Sequence, residues 1–159
     1  MSTISWAELL TPDAPGVVVI AAPAADVAGT AADVSARRPR TVIRNLDAAD
    51  CLTTPTFLRA FAAALEFPPG NVNWNVVEER LYDLTWFGDA DAFVVVLSNC
   101  EQFTRSESPR DLAVVDSIFA GLAEDERTTP RRLVCQCDPG HLDEFAALLA
   151  RHDLSWPEL

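Results

Sequence analysis

Apolar residues in this chain follow two alternating patterns, short unbroken runs and stripes at helical spacing. The runs are Val17 to Ala22, Thr41 to Leu46, Phe93 to Leu97 and Arg131 to Cys137. Runs this short, bounded by turn residues, predict strands buried on both faces. Ahead of the first run, Ser5-Trp6-Ala7-Glu8 has capping-box spacing and predicts a brief helix through Leu10, ended by Thr11-Pro12. The Ala-rich segment 23–39 carries Val27, Ala31 and Val34 at helical spacing, with Gly29 as a weak point, and reads as a crossover helix or else a loose linker. Phe57, Phe61 and Leu65 stripe a helix capped by Thr53 or Thr54, with Pro55 in its first turn. Val77, Leu81 and Leu84 stripe another, beginning near Trp74 or Asn75. Leu112, Val115, Phe119 and Leu122 belong to a helix opened by Ser108-Pro109. Leu142, Phe145 and Leu149 belong to a last one after Asp138-Pro139, with Arg151 and His152 in its final turn, where positive charge suits the dipole. In the short tail, Trp156 is expected to fold back onto the body.

Strands separated by helices predict an α/β fold, a mostly parallel sheet with helices on both faces. Val17 to Ala22 would add a strand through a βαβ crossover, right-handed by rule.

Charge changes the picture next. The 159 residues hold 24 acidic side chains against 12 basic ones, a net −12. Such a field disfavours nucleic acid and anionic membranes and speeds encounter with basic partners. Its alternative meaning is solubility alone. Arg37-Arg38-Pro39-Arg40, the one basic cluster, reads as a solvated helix end. No stretch approaches the ~20 apolar residues that span a bilayer. The opening MSTISWAELL lacks a basic start and a long apolar core, so no leader is expected. Four cysteines without a tight framework fit a reduced cytoplasmic setting. The expectation is a soluble cytoplasmic protein.

The stretch Glu66 to Trp86 organises the rest. Phe67-Pro68-Pro69-Gly70 stops one helix, and the polar loop Asn71-Val72-Asn73 leads into the next. That helix has an apolar back and a front of Asn75, Glu79 and Asp83 at i, i+4 and i+8, with Glu78 and Tyr82 beside them. Trp74 and Tyr82 flank Glu78, and between residues 70 and 91 five carboxylates face only Arg80. Aromatic residues beside carboxylates suit an interface anchor. The alternative is that Trp74 packs under the helix start and the acids are merely solvated.

The Pro-then-Gly loop, the Asn-containing helix start and the ending Leu81-Tyr82-Asp83-Leu84-x-Trp86 resemble the barstar family, intracellular protein inhibitors of small basic ribonucleases. The resemblance runs from about Thr41 to Cys137. It implies a small sheet of three parallel strands flanked by helices, joined by a fourth strand if residues 17–22 contribute. It divides the chain into an N-terminal extension (1–40) packed on the domain, a barstar-like domain (41–137), and a C-terminal helix and tail (138–159). Family members bind with the loop before the acidic helix and with that helix's exposed face. Two acidic positions one turn apart are the anchors, and the second enters the nuclease's phosphate site. The resemblance places Asn75 at the first and Glu79 at the second. An aromatic typical of the loop falls near Pro69, and a helpful acid on a later helix falls near Gly121; both are absent here.

The implied partner is a basic ribonuclease or related toxin, contacted by Asn73, Trp74, Asn75, Glu78, Glu79, Tyr82 and Asp83. The protein would be a monomer before binding, with no catalytic residue, cofactor or metal. One competing expectation keeps the fold and changes the partner to a non-nuclease. Another is a small α/β enzyme using Cys100, Cys137 and His141.

Enzyme chemistry finds little support. Glu78 and Glu79 are adjacent and point about 100° apart on a helix, so they cannot flank one scissile bond. There is no P-loop, no G-x-G-x-x-G and no G-x-S-x-G. His141 sits at a helix start after a strand without a nucleophile elbow. Cys135 and Cys137 share one strand face that Cys100, following another strand, could approach, and with His141 they would make a conceivable zinc set, but cysteine is also a small buried hydrophobe.

Overall fold

A computed structural model describes residues 5–159. Met1 to Ile4, the start of the stretch read for a leader, lie outside the described residues. Strands β1 (Val17–Ala21), β2 (Thr41–Asp47), β3 (Ala92–Ser98) and β4 (Arg131–Cys137) form one sheet in the order β1-β4-β3-β2. Every neighbouring pair is parallel. The sheet therefore has four strands, and the first takes the edge opposite β2. The segment read as helix or linker is helix α2 (Ala24–Arg37), which carries the chain from one edge to the other.

Alternation along each strand divides the core in two. Val17, Val19, Phe93, Val95, Leu133, Cys135 and Cys137 face one layer, packed by α3 (Thr54–Ala64), α4 (Trp74–Asp83), α5 (Asp111–Glu124) and α6 (Leu142–Arg151). Val18, Val94, Val96 and Val134 face the other, packed by α1 (Trp6–Leu9) and α2. Two covered faces explain the apolar runs of β1 and β3, whereas the edge strand β2, read as buried on both faces, carries Arg44 and Asn45 and buries only Thr41 and Leu46. Gly16 admits β1 close to α5: a Cβ there would stand 2.4 Å from the Phe119 carbonyl oxygen.

The tail closes the β1 edge. Val19 N–H donates to Pro157 O at 2.8 Å, and Leu159 N–H donates to Val19 O at 2.7 Å. Trp156 folds back as expected, its Nε1 donating to Asp116 at 2.7 Å and its ring lying 6.2 Å from that of Phe145. An occupied edge is not a template for another strand.

Two details differ from the sequence reading, and a third was not anticipated by it. Helix α5 begins at Asp111 rather than at Ser108-Pro109, which instead form a turn with Asp111 N–H donating to Ser108 O at 3.0 Å. Asp138 caps a short 3₁₀ turn, Pro139–His141, and α6 begins only at Leu142. Arg131 and Arg132 are buried, 5% and 1% exposed. Arg132 satisfies itself on backbone, donating to Leu9 O at 3.0 Å and Thr11 O at 2.8 Å beyond α1. Burial lowers its pKa from the ordinary arginine value. Among the described residues, no helix is long and apolar enough to cross a membrane.

Candidate functional site

Helix α4 is bounded by local chemistry at both ends. The Asn73 side chain caps it, Oδ1 accepting from Val76 N–H at 2.9 Å. Its side-chain oxygen is therefore engaged in holding the helix start. At the other end Leu84 adopts a left-handed conformation, φ 49°, and its N–H returns to Arg80 O at 3.0 Å. That geometry costs a residue with a Cβ roughly 1–2 kcal/mol. Burying a leucine gains about 1.5–3 kcal/mol, and Leu84 is 1% exposed, so packing holds the turn. Val77 and Leu81 complete the buried back of the helix.

Trp74 turns inward. Its ring meets Phe57 edge-on at 5.2 Å and Phe61 at 6.1 Å. Its Nε1 donates to Asp111 Oδ1 at 3.3 Å, while Asp111 Oδ2 accepts from Thr54 Oγ1 at 2.6 Å. One buried carboxylate thus ties together the starts of α3, α4 and α5. Tyr82 is half-buried on the α5 side, its hydroxyl 3.6 Å from where a Cβ on Gly121 would stand. Between α4 and α5 lies a shallow groove of about 340 Å³, lined by Trp74, Asn75, Glu78, Val114, Ser117 and Ile118, among others.

Asn75, Glu78, Glu79 and Asp83 are exposed. Among the described residues, none of these three carboxylates joins an ion pair. The arrangement is an acidic outer face on a well-held helix, with carboxylates free to accept hydrogen bonds from cations outside the molecule.

Two residues that the sequence reading did not single out hold this helix, Asp111 and Arg131. Arg131 reaches from β4 beneath the end of α4, its Nε donating to Leu81 O and its Nη2 to Tyr82 O at 3.3 Å. Its Nη1 donates to Thr129 O and Oγ1 at 2.7 and 2.8 Å, and the guanidinium lies 4.9 Å from the Phe93 ring centroid. Burial lowers its pKa, and Asp83 partly opposes this. The available signal was a pair of arginines opening a strand otherwise apolar but for Gln136.

The sulfur chemistry is subdued. All four cysteines are free and buried. Burial, with nearby carboxylates, pushes Cys51 and Cys137 up to about 12, and burial first of all raises Cys100 well above 9.0. Thiols held protonated are poor nucleophiles and poor metal ligands at neutral pH. His141 is exposed, 3.5 Å from Glu144. No group of three or more His, Cys, Asp or Glu among the described residues is placed to hold a metal ion. Folded thiols that are weaker acids than unfolded ones stabilise the fold below pH 9.0, and that contribution fades as pH rises towards 12. A thiol reagent at pH 8 is therefore expected to label none of the four in the native protein and all four after denaturation. Rapid native labelling of Cys100 or Cys137 would contradict this burial.

A family model described as Barstar (barnase inhibitor) matches residues 41–137, from the first residue of β2 to the last of β4. The chain belongs to the barstar family. Barstar-family proteins are inhibitors rather than enzymes. Helices α3, α4 and α5 fall inside the match, whereas α1, β1, α2 and α6 lie outside it. No curated protein matches the chain.

Among solved structures, a chain of the Aeropyrum pernix ORC2 protein, in its ADPNP–ADP complexes, is similar with a TM-score of 0.59 and 10% identity. The likeness covers 92% of this chain but only 41% of that one, and at such identity it concerns the fold alone. Open α/β sheets take ligands beyond the carboxyl ends of strands where crossovers diverge. Here that place lies between β1, followed by α2 on one face, and β4, followed by α6 on the other. Gln136 laces it: Nε2 donates to Ala22 O and Oε1 accepts from Asn99 N–H, both at 2.7 Å.

Proposed function

We propose that this protein is a cytoplasmic, monomeric inhibitor or immunity protein that binds a small basic ribonuclease, or a related toxin, and blocks its active site with α4. The observation that carries the reading is the outer face of that helix, where Glu78, Glu79 and Asp83 are exposed and unpaired by any cation among the described residues. A ribonuclease must present Arg, Lys and His to a phosphate, so a carboxylate at fixed height substitutes for that phosphate. Glu79 takes this role, Asp83 and Glu78 surround it, and Asn75 supplies an amide where a carboxylate would add charge. Asn73 and Trp74 hold the helix start, and Tyr82 borders the α5 groove. The net −12 charge speeds encounter with a basic surface.

Calorimetric titration against a panel of small basic ribonucleases, at two salt concentrations and beside a nuclease assay, tests this. Tight binding that weakens with salt and abolishes cleavage is expected. A second reading keeps the same face and gives it a non-nuclease basic partner. The amide of Asn75, the proline at residue 69 and the bare Gly121 favour it, and no binding to any ribonuclease would make it the leading account.

A further inference from the structure

The acids of α4 are placed against the electrostatics of their own helix. Glu78 and Glu79 lie mid-helix and Asp83 lies in the last turn, while the first turn carries no acid. A helix end of this polarity repels carboxylates and attracts cations, and its last carbonyls need donors from elsewhere. Leu84 N–H serves Arg80 O, and Arg131 serves the next two carbonyls, those of Leu81 and Tyr82. We propose that Arg131 is a positioning residue for the acidic face: it pins the last turn of α4, and so fixes where Asp83 and Glu79 stand when a basic partner arrives.

This rests on reading that face as the binding site. The guanidinium suits the task because one planar fork addresses two helix carbonyls and both Thr129 oxygens from separate edges while lying over the Phe93 ring. An ammonium offers no such fork. Arg131 is also a cation beneath an anionic site, so it subtracts from the field that steers a basic partner. Its contribution is to the lifetime of the complex rather than to encounter, because steering follows net charge and dissociation follows held geometry.

That asymmetry supplies the test. In Arg131→Met, the dissociation rate is expected to rise about tenfold while the association rate stays the same or increases. In the free protein, amide hydrogens of Tyr82, Asp83 and Leu84 are expected to exchange at least tenfold faster, with those of β3 and α5 unchanged. Arg131→Lys restores the charge but not the fork, and is expected to recover only part of the protection. Thr129→Val, which removes one acceptor outside the strand, is expected to move both readouts the same way by less. It also decides the matter if Arg131→Met does not fold. Native-like exchange in the last turn of α4, or acceleration spread evenly over the sheet, would overturn the proposal. Failure of the wild type to bind any ribonuclease would overturn the functional reading, while exchange in the free protein still judges Arg131.

Discussion

Replacing Glu79 by alanine is expected to weaken ribonuclease binding about 10²–10⁴-fold and to leave the melting temperature unchanged. Glu79 is exposed and makes no hydrogen bond or ion pair among the described residues, so folding loses nothing with it. The complex loses more. A phosphate site emptied of its anion leaves the partner's cations buried and uncompensated, a penalty of roughly 3–5 kcal/mol. Glu79→Gln separates charge from shape: little recovery of affinity means the negative charge is what the partner reads. Calorimetry beside thermal melts gives both numbers. Unchanged affinity in both variants would keep the partner class and move the anchor elsewhere on the surface.

Phe57→Ala is expected to cost about 3–5 kcal/mol, the usual price of emptying a buried aromatic position. For a chain of this size that lowers the melting temperature by about 6–20 °C. Phe57 is 1% exposed and meets three rings, Phe61 at 5.4 Å, Trp74 at 5.2 Å and Phe103 at 5.5 Å. Those rings come from α3, α4 and the 3₁₀ segment Cys100–Arg105, three elements that cannot all move into one cavity. The loss also removes the surface against which Trp74 is held, so tryptophan fluorescence should change alongside stability. A drop under about 2 °C would show that the cluster repacks, and that Trp74 owes its placement to Asp111 instead.

The contrast between these two positions shows which parts of the molecule were legible in its sequence. Strands β1 and β3 were visible because cover on both faces leaves apolar runs, β2 and β4 because short β-branched or apolar stretches stand between turn residues, and the backs of the helices because their periodicity is local. The Pro/Gly loop and the acidic helix announced the family for the same reason. Strand neighbours are not local. An apolar run reports that β1 is covered, not that it lies beside β4. The Ser108-Pro109 start signal yielded to Asp111, whose partners Thr54 and Trp74 are 57 and 37 residues away. Arg131 and Arg132 were hardest to see, since their hydrogen-bond partners include carbonyls roughly 50 and 120 residues distant. Trp74 lies between the two faces of its helix, and distant partners, the rings of α3 and the carboxylate of Asp111, draw it inward.

Helix α4 writes foldability and recognition on different letters. Val77 and Leu81, with Leu84 just beyond the helix, are buried and hold it, whereas Asn75, Glu79 and Asp83 point to solvent. Exposed positions of this kind usually tolerate exchange within about 0.5 kcal/mol. A lineage carrying this domain can therefore follow a drifting target one residue at a time, without passing through unstable intermediates. A laboratory library confined to positions 75, 79 and 83 would likewise keep nearly every member folded, so that selection acts on partner choice alone.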